Sequence, residues 1–162
     1  TKKLEFYEYF NDVNSSFNRP VNNSLWEKKK KAKLNLNNLI KEVSKAQITT
    51  IDEYCKKKQI NFIELLKIDT QGFEDKVLIG AQNLIKDNRI KLIQLELIFS
   101  EIYQSPLQIY DVEKTLIPKN YKLFSISNGG SLVSYYIFQS DLIYVSSDTY
   151  EDFKKNSSYF NN

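Results

Sequence analysis

The sequence predicts an α/β fold, and three observations carry that prediction. A mostly apolar run of strand length, 61–70 (NFIELLKIDT), leads at once into residues whose apolar positions recur at helical spacing. The same alternation repeats in the next forty or so residues, with KLIQLELI as strand and 107–117 as helix. The chain then ends in β-rich runs. Strands alternating with helices imply parallel βαβ units whose helices cover the sheet, and the β-rich end implies an antiparallel finish. A chain of 162 residues, 41% apolar and 27% charged, fits a single domain (1–162) with a real core.

The elements follow in order. Residues 4–10 (LEFYEYF) carry β-favouring aromatics and read as a strand. Residues 11–24 (NDVNSSFNRPVNNS) are rich in turn formers and read as a polar loop. Trp26 to Lys33 (WEKKKKAK) reads as a solvated, mobile basic loop. In 34–43 the apolar residues Leu36, Leu39, Ile40 and Val43 have helical spacing, against three asparagines, and a short helix is expected. Residues 48–50 read as a short strand. Thr50 with Glu53 three positions on forms a capping-box pattern that starts a helix through Lys57.

After the 61–70 strand, Phe73, Val77, Leu78, Ala81, Leu84 and Ile85 define one face of a single amphipathic helix ended by Asp87 and Asn88. Residues 91–98 are a second buried strand. Residues 107–117 form a helix with Leu107, Tyr110, Val112, Leu116 and Ile117 apolar, stopped by Pro118. YKLFSIS, SLVSYYIF and DLIYVSS complete the chain as strands. The last pair suggests a hairpin turning at Gln139 and Ser140.

Composition excludes several classes. No segment approaches the roughly 20 apolar residues of a membrane helix, and no basic-then-apolar signal opens the chain. Cys55 is the sole cysteine, which rules out an internal disulfide and makes a reducing, cytoplasmic setting the default. Net charge is +3, and the lysine run lacks interleaved aromatics, so no nucleic-acid partner is expected. The chain has no methionine and only four glycines, and reads as the C-terminal part of a longer protein.

Two acids stand at the ends of the central strands. In open α/β sheets ligands bind beyond the carboxyl ends of the strands. Asp69 closes one strand and Glu96 lies late in the next, so both reach one rim if the strands are neighbours. Asp69 admits three readings. It is a turn or helix-start residue, with Glu74 favouring the positive end of the next helix and Gly72 allowing the turn. It is a phosphoacceptor, although the later strand carries Glu96 where a receiver domain has lysine. Or it is a catalytic or substrate-binding carboxylate. The chain has no histidine, so any general base among these residues is another group. No compact metal motif is present.

LLKIDTQGFEDKVLIGA, from Leu65 to Ala81, resembles the signature of the FkbM family of S-adenosylmethionine-dependent methyltransferases: K-I-D, a variable pair, glycine, an apolar residue and glutamate, then V-L-x-G-A. TTIDEYC, NDVNSSFNRP, IQLELIFSEIY and YDVEKTLIPKNYKLF resemble further family segments, and the likeness spans about Phe6 to Val145. It implies a Rossmann-like class I methyltransferase sheet, N-terminally truncated, with an antiparallel strand pair at its C-terminal end. It implies S-adenosylmethionine as cofactor and O-methylation of a hydroxyl on a sugar or secondary metabolite, the acceptor being a small molecule or glycan.

The family's D-x-G-A-N-x-G cofactor loop has no counterpart here, nor does its acidic strand end. The cofactor-binding residues are therefore unassigned, and the segment alone is expected to be inactive. By position, the resemblance makes Asp69 the first candidate base and Glu96 the second. Glu74 becomes a substrate-side positioning or metal-binding alternative. Ser16, with Ser15, either lines the acceptor side or forms a polar turn. Gly80 is expected to let its helix pack closely on the sheet. The rival reading is a non-catalytic α/β binding module that keeps the signature for structural reasons.

Overall fold

A computed structural model of the chain describes residues 2–104, 107–127 and 138–157. Its centre is a four-stranded sheet in the order β3-β4-β6-β5, with β3 at Ile63–Ile68, β4 at Ile90–Ile98, β5 at Tyr121–Ile126 and β6 at Gln139–Ser146. β3 and β4 are parallel, as the intervening helices require. β6 runs antiparallel to both β4 and β5 and lies between them, giving the antiparallel finish. The core lies on one face of this sheet. Leu66 and Ile68, then Ile93, Leu95 and Leu97, then Leu142 and Tyr144 alternate inward beneath Leu78, Leu84, Val112 and Leu116. Each such fully buried aliphatic side chain contributes about 1.5–3 kcal/mol.

A second, two-stranded sheet pairs β1 (Lys2–Tyr9) with β2 (Ile40–Ile48), antiparallel from Lys2↔Ile48 to Tyr9↔Ile40. Residues 40–43 are therefore strand, which overturns the helix expected over 34–43. Asn35 ends the preceding helix in a left-handed conformation (φ 53°), and the Asn38 carboxamide accepts from the Ile40 amide. The asparagines thus close one element and start another. Leu39 is buried with Tyr7 and Tyr9, so the apolar spacing serves the hairpin's own small core.

The lysine run is also not a loop. It forms α1 (Leu25–Leu34), capped by the Ser24 hydroxyl accepting from the Glu27 amide and braced by a Glu27–Lys31 ion pair at 2.8 Å. α2 (Ile51–Lys58) begins where the capping pattern places it, with the Thr50 hydroxyl accepting from the Glu53 amide. The residues expected to form one helix from 73 to 85 form two, α3 (Glu74–Gly80) and α4 (Gln82–Lys86), interrupted at Ala81. The cause comes from α2. The Asp52 carboxylate accepts from the Asn83 amide at 3.0 Å and the Leu84 amide at 3.1 Å, capping α4 from outside. Gly80 faces Thr50 of the same helix start, not the sheet.

α5 (Ile109–Leu116) buries Val112 and Leu116 but leaves Tyr110 exposed, so Tyr110 is not on its core face. Pro118 lies in a 3-10 turn, Ile117–Lys119, that follows it. α6 (Ser147–Asn156) was not expected, and it packs Tyr150 and Phe153 against Phe124 of β5. Gln139 and Ser140 are strand residues of β6 and form no turn. The remainder of the expected SLVSYYIF strand, 131–137, lies outside the described residues.

Candidate functional site

The register Ile68↔Leu95 places Asp69, one residue past β3, level with Glu96. The neighbouring β4–β6 register sets Asp141 opposite Glu96. Three carboxylates therefore stand at one end of the sheet. Asp69 and Glu96 are joined by a single side chain: the Gln71 amide donates to Asp69 Oδ1 at 3.1 Å and to Glu96 Oε2 at 2.9 Å. Gln139 donates its amide to the other oxygen of Glu96 at 2.8 Å. Lys67 Nζ lies 2.8 Å from Asp69 Oδ2.

The two acids are tuned in opposite directions. The Lys67 ammonium beside Asp69 holds its carboxyl below the usual carboxylate range, against some burial and with help from the Gln71 amide. Burial pushes Glu96 up, and the charges of Asp69 and Asp141 push it further, against the Gln71 amide. The Asp69 side chain is 41% exposed, whereas Glu96 is half-buried.

Glu74 and Ser16 are placed otherwise. Glu74 is only 2% exposed, and its Oε1 accepts from the Thr70 amide at 3.0 Å, the Gly72 amide at 3.1 Å and the Thr70 hydroxyl at 3.1 Å. The carboxylate therefore ties the turn between β3 and α3 to the start of α3. Ser16 is buried too; its hydroxyl lies 2.7 Å from the Gln71 carbonyl and 3.2 Å from the Thr70 carbonyl, and accepts from the Asn18 amide. The loop after β1 is thus fastened to the same turn, with Asn18 also donating to the Gly72 carbonyl at 2.7 Å. Ser15 caps locally, accepting from the Tyr9 amide.

Gly72 has φ +90°, and a Cβ there would lie 2.8 Å from Cδ2 of Tyr103. The buried Tyr103 hydroxyl is 2.8 Å from the Asn14 carbonyl and 3.2 Å from Gln71 Oε1. Gln71, Tyr103, Gln139 and Asp141 were not identified in the sequence. Gln71 falls in the variable pair of the signature, and the others are brought to Asp69 only by sheet order. Tyr103 had one signal, as the tyrosine closing IQLELIFSEIY.

A mostly apolar pocket of about 540 Å³ opens beside the turn, lined by Phe17, Tyr54, Thr70, Phe73 and Val77 among others. A larger cleft of about 620 Å³, lined by Asn61 and Arg89, lies toward the opposite ends of β3 and β4 and away from the carboxylates. Among the described residues, no three His, Cys, Asp or Glu side chains group so as to hold a metal ion. Neither described glycine fronts an open cradle, since Tyr103 fills the space at Gly72 and Thr50 that at Gly80. The described residues therefore do not form the glycine-lined loop that S-adenosylmethionine binding would use.

A sheet with parallel strands, a reversed strand inserted among them and acids at the strand ends defines an α/β protein with its candidate site on the carboxyl rim. The chain belongs to the FkbM methyltransferase family: the methyltransferase FkbM domain matches residues 5–123. No curated protein and no solved structure matches the chain. No helix among the described residues is long and apolar enough to cross a membrane.

Proposed function

We propose that this chain is the acceptor-side part of an S-adenosylmethionine-dependent O-methyltransferase, acting on a hydroxyl of a small molecule or glycan, such as a sugar or secondary metabolite. The observation that carries this is the meeting of Asp69 and Glu96 across neighbouring parallel strands in a chain of this family. When bound, the cofactor supplies the methyl group. Its binding loop is assigned to residues outside this chain. The open side of β3 supports that assignment. The Ile63 amide bonds the Arg89 carbonyl, so the backbone groups of Glu64, Leu66 and Ile68 face the outer edge, which no strand among the described residues pairs and where further strands can pair.

Methyl transfer to a hydroxyl needs the acceptor oxygen held in line and its proton removed. Asp69, ionised and accessible, suits holding the hydroxyl. Glu96, whose carboxylate burial and the neighbouring acids make the stronger base, suits receiving the proton, because environments that push two acids apart separate their roles. Glu74 and Ser16 serve the acceptor side indirectly, by fixing the turn that carries Asp69 and Gln71. The neighbouring pocket has the volume of a small-molecule site. No metal and no nucleic-acid partner enter this reading, and its setting is cytoplasmic.

Calorimetric titration of the full-length protein with S-adenosylmethionine tests the proposal. Heat saturating at one site, together with turnover reduced in Asp69→Asn, supports it. Absence of heat at saturating cofactor supports the rival binding module instead.

A further inference from the structure

We propose that Gln71 is a positioning residue whose single amide group holds Asp69 and Glu96 at a common hydroxyl-binding point, with Tyr103 bracing it from behind. This rests on the acceptor-side reading above but adds a residue that the family signature leaves variable. Its backbone is the first indication. Gln71 has φ +56°, a conformation that residues other than glycine and asparagine rarely adopt, and Gly72 follows at +90°. An outlier held in place by its surroundings at a strand-end turn points to function. An asparagine would suit this backbone better, but its side chain is one methylene shorter than the reach spanned here, from the turn to β4.

Both hydrogens of the amide are used. Nε2 carries two hydrogens, one directed to Asp69 Oδ1 at 3.1 Å and the other to Glu96 Oε2 at 2.9 Å. Oε1 lies 3.2 Å from the Tyr103 hydroxyl. Turning the amide over would set its oxygen against two carboxylate oxygens, so the acids dictate its orientation. Tyr103 in turn is immobilised by the Asn14 carbonyl and by Gly72, against which its ring packs. Gln139 completes the arrangement from β6 by holding the second oxygen of Glu96. Among the described residues, the charged groups facing Glu96 come from neighbouring elements: Asp69 and Lys67 at the end of β3, Asp141 on β6 and Glu74 on α3. Three of these four are acids, and the fourth, Lys67, is paired to Asp69. The glutamine amides bond Glu96 directly and therefore help Lys67 offset the crowding of negative charge around it.

The test is Gln71→Met, which keeps the length of the side chain and removes the amide, in the full-length protein. Carboxyl-carbon NMR should show the Glu96 titration midpoint moving up, while the urea midpoint stays close to wild type. Methyl transfer should lose about tenfold to hundredfold in kcat with cofactor affinity unchanged. A Glu96 midpoint unmoved in a folded variant overturns the proposal and leaves Gln71 a turn residue. If the variant does not fold, the wild-type protein decides: the Gln71 side-chain NH2 resonances should shift with the titration of both acids, and resonances flat across that range overturn it. A shifted midpoint in a protein that binds no S-adenosylmethionine supports the bridge while removing the methyltransferase reading on which it rests.

Discussion

Replacing Glu74 with alanine should destabilise the protein more than any other single carboxylate change. The Glu74 carboxylate is almost wholly buried, and one of its oxygens accepts from two backbone amides and one hydroxyl of the turn. In Glu74→Ala the Thr70 hydroxyl can rotate to another partner, but the amides of Thr70 and Gly72 lose their acceptor. Each partly buried donor left unpaired costs about 1–3 kcal/mol, so two amount to about 2–6, and partial entry of water favours the lower half, about 3 kcal/mol. That is a large share of the roughly 5–15 kcal/mol of a typical domain. Glu74→Gln keeps an oxygen in place and should lose only about 1 kcal/mol. Urea unfolding with an unchanged m-value measures both. A Glu74→Ala stability within about 0.5 kcal/mol of wild type, the range of ordinary surface changes, would refute the reasoning.

The two described glycines should respond oppositely. Gly72→Ala meets both a positive φ and the Tyr103 ring, and should cost about 2–4 kcal/mol by urea unfolding. Gly80→Ala places its Cβ at 3.4 Å from Thr50, an ordinary contact, and should be neutral or stabilise by up to about 1 kcal/mol. Asp52→Ala removes the cap of α4 and should cost about 1 kcal/mol, with amide exchange accelerated at Asn83 and Leu84 before other sites. The two rim acids give opposite pH dependences. Glu96 is raised on folding, so its contribution is full below the ordinary carboxyl value and is lost as pH rises through the raised folded value; Asp69 is lowered, so its contribution is present above the ordinary value and lost as pH falls through the lowered one. In Asp69→Asn the Glu96 midpoint, followed by carboxyl-carbon NMR, should fall without reaching the ordinary value, because burial, its main cause, remains. An unmoved midpoint would contradict the electrostatic account.

Elements announced by neighbouring residues were legible in the sequence. The Thr50–Glu53 cap and the apolar strand leading to Asp69 are local signals that lie where they were read, and the 3.6-residue spacing after Gly72 marks helix, though not one unbroken helix. The errors share a cause in partners distant along the chain. The spacing of Leu36, Leu39, Ile40 and Val43 fits a helix, but β1, some thirty residues earlier, claims residues 40–48 as a strand. The helix after Gly72 divides because Asp52 caps it from another helix. The lysine run hid a local signal that was present, Ser24 followed by Glu27. At the site, Asp69 and Glu96 could be placed on one rim from strand ends alone. Gln71 and Gln139 could not, because a glutamine in a turn and another near the chain's end acquire meaning only when β3, β4 and β6 lie side by side.

The central claim is that the Asp69–Glu96 pair forms the acceptor side of a methyl-transfer site. It is tested most directly by following label from S-adenosylmethionine into hydroxylated acceptors with the full-length protein, wild type against Glu96→Gln. The expected result is equal cofactor affinity and a loss of about a hundredfold or more in kcat for the variant. Turnover equal to wild type at every pH would contradict the claim.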